Sequence, residues 1–305
     1  MADAREKGEF RSGFVCFVGR PNTGKSTLTN ALVGAKIAIT SSRPQTTRHT
    51  IRGIVHREHA QLILVDTPGL HRPRTLLGQR LNDLVRDTYS EVDVIALCIP
   101  ADEKIGPGDR WIVQQVKQMA PKTMLLGVVT KIDKVSREQV AEQLLAVSQL
   151  LGPEADVVPV SAVRGEQVEV LVDVIASKMP EGPAFYPDGE LTDEPEETLM
   201  AELIREAALE GVRDELPHSL AVVIEEILPY EDREDMLDVH ALLYVERPSQ
   251  KAIVIGKGGS RLKEVGTNAR KQIEHILGTR IYLNLHVKVA KDWQRDPKQL
   301  GKLGF

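Results

Sequence analysis

Cysteine is scarce in this chain of 305 residues: Cys16 and Cys98 are the only two, and both sit inside apolar runs, FVCFVG and VIALCIP. Thiols so placed exclude a disulfide framework and read as small buried hydrophobes in a reducing compartment. Long apolar runs are missing too. None approaches the ~18–20 residues that span a bilayer, and the opening MADAREKGEF has no apolar core of a secretory signal. A cytoplasmic location is expected, or at most a peripheral one on the cytoplasmic membrane face. The eight histidines show no metal-ligand spacing, and His49 and His71 read as solvent-facing rather than catalytic. There is no internal repeat or low-complexity tract.

What the chain does have is a soluble, globular composition, 42% hydrophobic and 27% charged, with length enough for two domains. Its net charge of −5 is unevenly spread. From Asp188 to Asp238 there are 18 acidic residues against three basic ones, whereas Arg247–Phe305 carries 13 Lys/Arg against four Asp/Glu. A basic end on an acidic protein suits either a polyanionic partner or solvated helix faces, and charge alone does not choose.

From Gly13 to about Met179, apolar runs alternate with helical patterns. The runs are GFVCFVG, LILVD, VIALCIP, MLLGVVT and DVVPVSA; helical spacing recurs near Asp109–Met119, Arg137–Leu151 and Glu166–Lys178. Apolar, β-branched runs suit parallel strands buried on both faces, so a doubly wound α/β domain is expected over residues 13–180, after a tail of residues 1–12. Four prolines and a cluster of acids in PEGPAFYPDGELTDEP mark residues 181–197 as a linker. Residues 198–305 then read helix, strand, strand, helix, strand, a separate α+β module ending in a basic tail.

Gly19-Arg-Pro-Asn-Thr-Gly24-Lys25-Ser26 fits G-x-x-x-x-G-K-[ST] between an expected strand and helix. Such a loop turns backbone N–H groups, here of Asn22 to Thr27, toward phosphate oxygens at a helix N-terminus. Lys25 would supply charge to the β/γ-phosphates and Ser26 a hydroxyl to Mg²⁺. Asp66-Thr-Pro-Gly69 ends the run LILVD about forty residues later. The acid there can hold a metal-bound water, and the Gly69 N–H can bond a γ-phosphate. Between them, PQTTRH offers Thr47, with Thr46 second, as the hydroxyl that completes the metal shell only when a γ-phosphate is present.

Thr130-Lys131-Ile-Asp133 and Ser161-Ala162 end the next two runs. An ionised Asp133 can accept from guanine N1–H and N2–H₂, donors that adenine lacks. Lys131 can lie along the base plane, and the Ala162 N–H can reach guanine O6.

In the C-terminal module, AIVIGKGGSRLK reads strand, turn, helix around Gly256-Lys257-Gly258-Gly259. Glycines that admit a phosphate, a helix N-terminus and the charges of Lys257, Arg261 and Lys263 suit a single-stranded RNA backbone, with sequence read in an apolar groove beside the loop. DNA is not the expected partner. Trp293 could stack on a base or pack against the domain.

GRPNTGKST, QTTRH, DTPGL, TKID and SA resemble the motifs of translation-factor-class P-loop GTPases. Joined to a module resembling a type II KH domain, they are similar to the bacterial Era-type GTPases over Gly13 to Trp293. The resemblance implies GTP/GDP and Mg²⁺ as cofactors, slow GTP hydrolysis, and the 3′ end of 16S rRNA in the small (30S) ribosomal subunit as partner. It also implies a nucleotide state coupled to RNA binding. Two departures stand out. Thr130 replaces the usual Asn, so the contact tying the base loop to the phosphate loop is expected to be shortened or lost, with binding weaker by about 1 kcal/mol. Leu70 stands where Ras-like enzymes carry a water-positioning Gln. Asn22 resembles the residue that helps hold K⁺ beside the phosphates in potassium-activated GTPases; bonding to loop backbone is its other reading. Rival readings are an RNA binder with a merely structural nucleotide site, an ATPase, against which Asp133 argues, and a GTPase peripheral to anionic membrane.

Overall fold

The computed structural model describes residues 10–40, 47–69, 75–210, 216–231 and 233–305. The chain forms two compact units. The first comprises Met1–Ile37, Thr47–Leu70 and Asp83–Asp193; the second comprises Ala38–Thr46, His71–Asn82 and Glu194–Phe305.

The first unit is built on a six-stranded sheet. In chain order come β1 (Arg11–Val18), α1 (Lys25–Val33), β2 (Ile51–Arg57), β3 (Ala60–Asp66), α2 (Leu76–Glu91, this unit taking its part from Asp83 and the second unit the part before), β4 (Val94–Pro100), α3 (Pro107–Met119), β5 (Met124–Thr130), α4 (Arg137–Leu151), β6 (Val157–Pro159) and α5 (Val168–Lys178). The strand order is β2-β3-β1-β4-β5-β6, parallel except for β2, which runs antiparallel to β3. Every residue of β3 and β4 is buried, which is why both read as unbroken apolar runs: helices cover both faces. Strand order reverses at β1, so ligands are favoured in the crevice beyond its C-terminal end.

Two expectations need correcting here. The five apolar runs account for β1, β3, β4, β5 and β6, and the sixth strand, IRGIVHR, escaped notice because its charges and Gly53 break the pattern. Gly53 lets α1 close in: a Cβ there would lie 2.6 Å from both Val33 Cγ2 and Ile37 Cδ1. The segment taken as a linker, moreover, is largely part of the first unit. Ile54 N–H donates to the Leu191 carbonyl (2.9 Å), and Gln61 Oε1 accepts from the Phe185 and Tyr186 amides (2.7 and 3.0 Å). Phe185 packs on Phe14 with ring centroids 5.1 Å apart. The open edge of β2 needs partners for its backbone, and residues 181–193 supply them. The boundary between units falls at Asp193.

In the second unit follow α6 (Glu196–Leu209), α7 (Leu216–Ser219), β7 (Ala221–Tyr230), β8 (Arg233–Val245), α8 (Pro248–Ile255), α9 (Ser260–Leu277), β9 (Arg280–Val289) and α10 (Pro297–Lys302). The sheet runs β7-β8-β9, antiparallel then parallel. One core cluster gathers Leu203, Ala207, Val265, Ile273 and Ile281 between the helices α6 and α9 and the sheet, and includes Ile39. A second joins Leu77, Leu81, Leu242, Tyr244, Trp293 and Leu300. Trp293 is fully buried, with Nε1–H donating to the Ser219 carbonyl at 2.9 Å. It packs rather than waiting for a base.

The run AIVI, expected as a strand, lies in helix α8. Pro248 at its start and Gln250, whose Oε1 accepts from the Glu246 and Arg247 amides (2.9 and 3.1 Å), fix a helical first turn that outweighs the β-branched residues. The glycine loop therefore joins two helices.

Candidate nucleotide-binding site

The loop Gly19–Gly24 leaves β1 and enters α1. It is drawn tight: a Cβ on Gly19 would lie 2.5 Å from the Cys98 carbonyl, and Gly24 takes φ 94°. Asn22, at φ 64°, shares the left-handed conformation. Thr23 is buried and donates its hydroxyl to the Arg20 carbonyl (3.0 Å). Lys25 Nζ arches back over the loop to the carbonyls of Gly19 (3.0 Å) and Arg20 (2.8 Å). Burial lowers its pKa, and the nearby Asp66 charge opposes that shift. Thr27 occupies the first turn of α1.

Three oxygen-bearing side chains meet beside Lys25. Ser26 Oγ donates to Asp66 Oδ2 at 2.7 Å, Thr47 Oγ1 donates to the same oxygen at 3.4 Å, and the two hydroxyls lie 3.2 Å apart. Asp66 is fully buried; desolvation raises its pKa against the opposing hydrogen bonds of Ser26 and Thr47 and the charge of Lys25. Its Oδ1 is buried without a hydrogen-bond partner among the described residues. A hard, all-oxygen set around an unsatisfied carboxylate fits Mg²⁺. Gly69 comes close to the phosphate loop, its Cβ position 3.8 Å from the Gly19 carbonyl. Thr46, Leu70 and His71 lie outside the described residues.

The residues expected to read the base gather at the ends of β5 and β6. Ser161, buried, donates its hydroxyl to Asp133 Oδ1 at 2.6 Å. That bond, assisted by Arg164 and Lys134, holds the Asp133 carboxyl below the usual range and so charged. Lys131 adopts φ 56°, and Ala162 follows Ser161 directly. Thr130 Oγ1 donates to the Thr23 carbonyl at 2.6 Å; of the two outcomes expected for the missing Asn, a shortened or a lost contact, the shorter side chain makes the contact.

In the second unit, Gly256, Gly258 and Gly259 take φ 73°, 60° and 79° between α8 and α9. A Cβ on Gly256 would lie 2.7 Å from Arg261 Cβ, so only glycine fits. Lys257 and Lys263 are exposed. Arg261 is not: its Nη2 donates to the carbonyls of Ala208 (3.2 Å) and Glu210 (2.6 Å), closing the C-terminal end of α6. That nitrogen is therefore engaged within the domain, where contact with RNA phosphate was expected of Arg261. Ile253, 53% exposed on α8 beside the loop, offers an apolar surface that belongs to no local motif.

Residues 14–131 match the 50S ribosome-binding GTPase family and residues 215–294 the KH domain family. Geometry and matches together define the class, a P-loop GTPase followed by a KH domain. The GTPase Era of Mycolicibacterium smegmatis is 78% identical over 297 residues, spanning 97% of this chain and 99% of its own length. That of Mycobacterium tuberculosis is 74% identical over 298 residues, with the same two coverages. Two solved structures superpose with a TM-score of 0.92 at 38% identity, over 97% of this chain and 99% of theirs. One is Era in complex with MgGDPNP and nucleotides 1506–1542 of 16S ribosomal RNA, the other an Aquifex aeolicus Era variant bound to GDP·AlF4⁻. The chain belongs to the Era family of GTPases, and it hydrolyses GTP to GDP and phosphate.

Proposed function

We propose that the chain binds the 3′ end of 16S rRNA through its KH domain and acts in assembly and 3′-end maturation of the 30S subunit, with RNA affinity set by nucleotide state. One observation carries the coupling. The described residues on either side of the nucleotide site, 38–40 before Thr47 and 75–82 after Gly69, both belong to the unit that contains the KH domain. Glu206 Oε1 accepts from the Thr40 amide (2.7 Å) and hydroxyl (3.3 Å), and Leu77 and Leu81 share a core cluster with Trp293. A γ-phosphate that fixes Thr47 and Gly69 thereby biases the unit that holds RNA.

The related complex with a 16S rRNA fragment supports this choice of partner, whereas the family whose description names the 50S subunit covers residues 14–131 alone. Small-subunit assembly puts the work in the cytoplasm. The basic end is assigned to RNA rather than to anionic lipid, because a loop of three left-handed glycines carries the exposed Lys257 and leads to the exposed Lys263 on α9. Among the described residues no helix is long and apolar enough to cross a membrane.

At the nucleotide site, Lys25 neutralises phosphate charge, Ser26, Thr47 and Asp66 hold Mg²⁺ (Asp66 through water), and Asp133 with Ala162 selects guanine. When bound, Mg²⁺ supplies charge stabilisation to the phosphates. Intrinsic hydrolysis is slow, and Asn22 assists a K⁺ ion at the phosphates; equal turnover in K⁺ and Na⁺ removes that last role. The coupling is tested by measuring affinity for a non-hydrolysable GTP analogue with and without an RNA oligomer copying the 16S 3′ end. Linkage requires the oligomer's affinity to shift by the same factor. Identical analogue affinities would refute the coupling and leave an unswitched RNA binder.

A further inference from the structure

Arg20 is the second residue of the phosphate loop, yet its side chain turns away to the start of α3. Nε donates to Asp109 Oδ1 at 2.7 Å, and Nη2 donates to Glu103 Oε2 at 2.9 Å. Asp109 is 1% exposed, and its second oxygen accepts the Gly106 amide at 2.8 Å. Gly108 completes the seat, since a Cβ there would lie 3.0 Å from Arg20 Cδ. The main chain of Arg20 faces the other way. Its carbonyl accepts from Lys25 Nζ at 2.8 Å and from the Thr23 hydroxyl at 3.0 Å. One residue is thus clamped at its side chain by α3 and holds the ammonium of Lys25 with its carbonyl.

We propose that Asp109, acting through Arg20, is a positioning residue for phosphate binding: it fixes the peptide whose carbonyl aims Lys25. A buried carboxylate is costly unless paired, and the guanidinium is the cation that satisfies it. A clamped peptide leaves less backbone freedom to be lost when phosphate enters the loop. The proposal rests on reading Gly19–Ser26 as the phosphate loop.

Asp109 also caps α3, so the test must separate capping from clamping. Asp109→Asn keeps an oxygen for the Gly106 amide while removing the charge that holds Arg20. Arg20→Ala removes the clamp from its partly exposed end and serves alone if the Asn variant does not fold. Calorimetry with GDP and with a non-hydrolysable GTP analogue is expected to show each variant binding both nucleotides about tenfold more weakly. Nucleotide-free melting temperatures stay within roughly a few degrees of the parent. The double variant binds no worse than either single one, because both cut the same link, and Arg20→Lys, which keeps a donor for one carboxylate, recovers part of the affinity. Additive losses, or unchanged affinity with a lowered melting temperature, overturn the proposal and leave Asp109 a helix cap. Lys25→Ala is the control. If it binds both nucleotides like the parent, the phosphate-loop reading itself fails; if it alone loses affinity, only the clamp does.

Discussion

The Thr130 hydroxyl donates a 2.6 Å hydrogen bond to the carbonyl of Thr23, and both residues are buried. Strand β5 thereby reaches the phosphate loop with a side chain one atom shorter than the Asn the motif usually carries. The end of β5 and the phosphate loop are tied together across 107 residues of sequence.

Thr130→Val tests that tie, since it keeps the shape and removes the donor. It leaves the Thr23 carbonyl short of its partner, at a cost of about 1–3 kcal/mol. GTP and GDP are both expected to bind about 5- to 150-fold more weakly in calorimetry, whereas Thr130→Asn stays close to the parent. A valine variant that binds normally would show that the bond carries no binding energy.

Asp133 yields a pH dependence. Its carboxyl is held low, chiefly by the Ser161 hydroxyl. A depressed acid pKa means that the charged form is favoured in the folded protein. Its contribution is present above the unfolded value of about 4 and is lost as pH falls through the lower folded value. Guanine selectivity should persist below about pH 4 in the parent and fade closer to pH 4 in Ser161→Ala. Affinity for GDP measured across that range checks it. Asp133→Asn should move preference from guanine to xanthine at neutral pH, because the amide offers a donor where the carboxylate accepted two.

Where sequence reading succeeded and where it stopped has a physical explanation. Lys25 and Ser26 open α1, Asp66 ends β3 and Asp133 lies just past β5. Their clustering with Thr47 and Ser161 was legible because each belongs to a short local motif whose chemistry is set by residue type. Strand β2 was not, because an edge strand need not be apolar, and the Pro-rich stretch hid its pairing role because that role is made of backbone hydrogen bonds. Helix α8 was misread since Ile253, Val254 and Ile255 favour strands locally, while Gln250 and its contact with Ser219 (3.1 Å) are tertiary. Arg20–Asp109 and Thr40–Glu206 join residues 89 and 166 positions apart, and no spacing rule connects such pairs.

Glu206→Ala addresses the coupling directly. Removing the carboxylate leaves the part-buried Thr40 amide without that partner, destabilising the contact by about 1–3 kcal/mol. Thr40, seven residues before Thr47, then loses its anchor on α6. The factor by which a 16S 3′-end oligomer changes GTP-analogue affinity should shrink toward one, while the oligomer's affinity for the nucleotide-free protein is retained. An unchanged factor would mean that coupling travels without this contact.

Lys257 and Arg261 lie four residues apart, share a charge and should behave differently. Lys257 is exposed on the glycine loop, free to neutralise a phosphate of single-stranded RNA. Lys257→Ala should therefore weaken RNA binding and flatten the slope of log affinity against log salt by about 0.7, the value for one lost contact on a single strand. Arg261 instead spends Nη2 on the Ala208 and Glu210 carbonyls. Arg261→Ala should leave the salt slope unchanged and lower the stability of the second unit, because two carbonyls at the end of α6 lose a charged donor, each such bond contributing about 1.5–3 kcal/mol before solvent compensates. Salt titration of RNA binding together with thermal melting distinguishes the two. If Arg261→Ala flattens the slope as Lys257→Ala does, the guanidinium reaches RNA after all, and the cap on α6 must open when RNA binds.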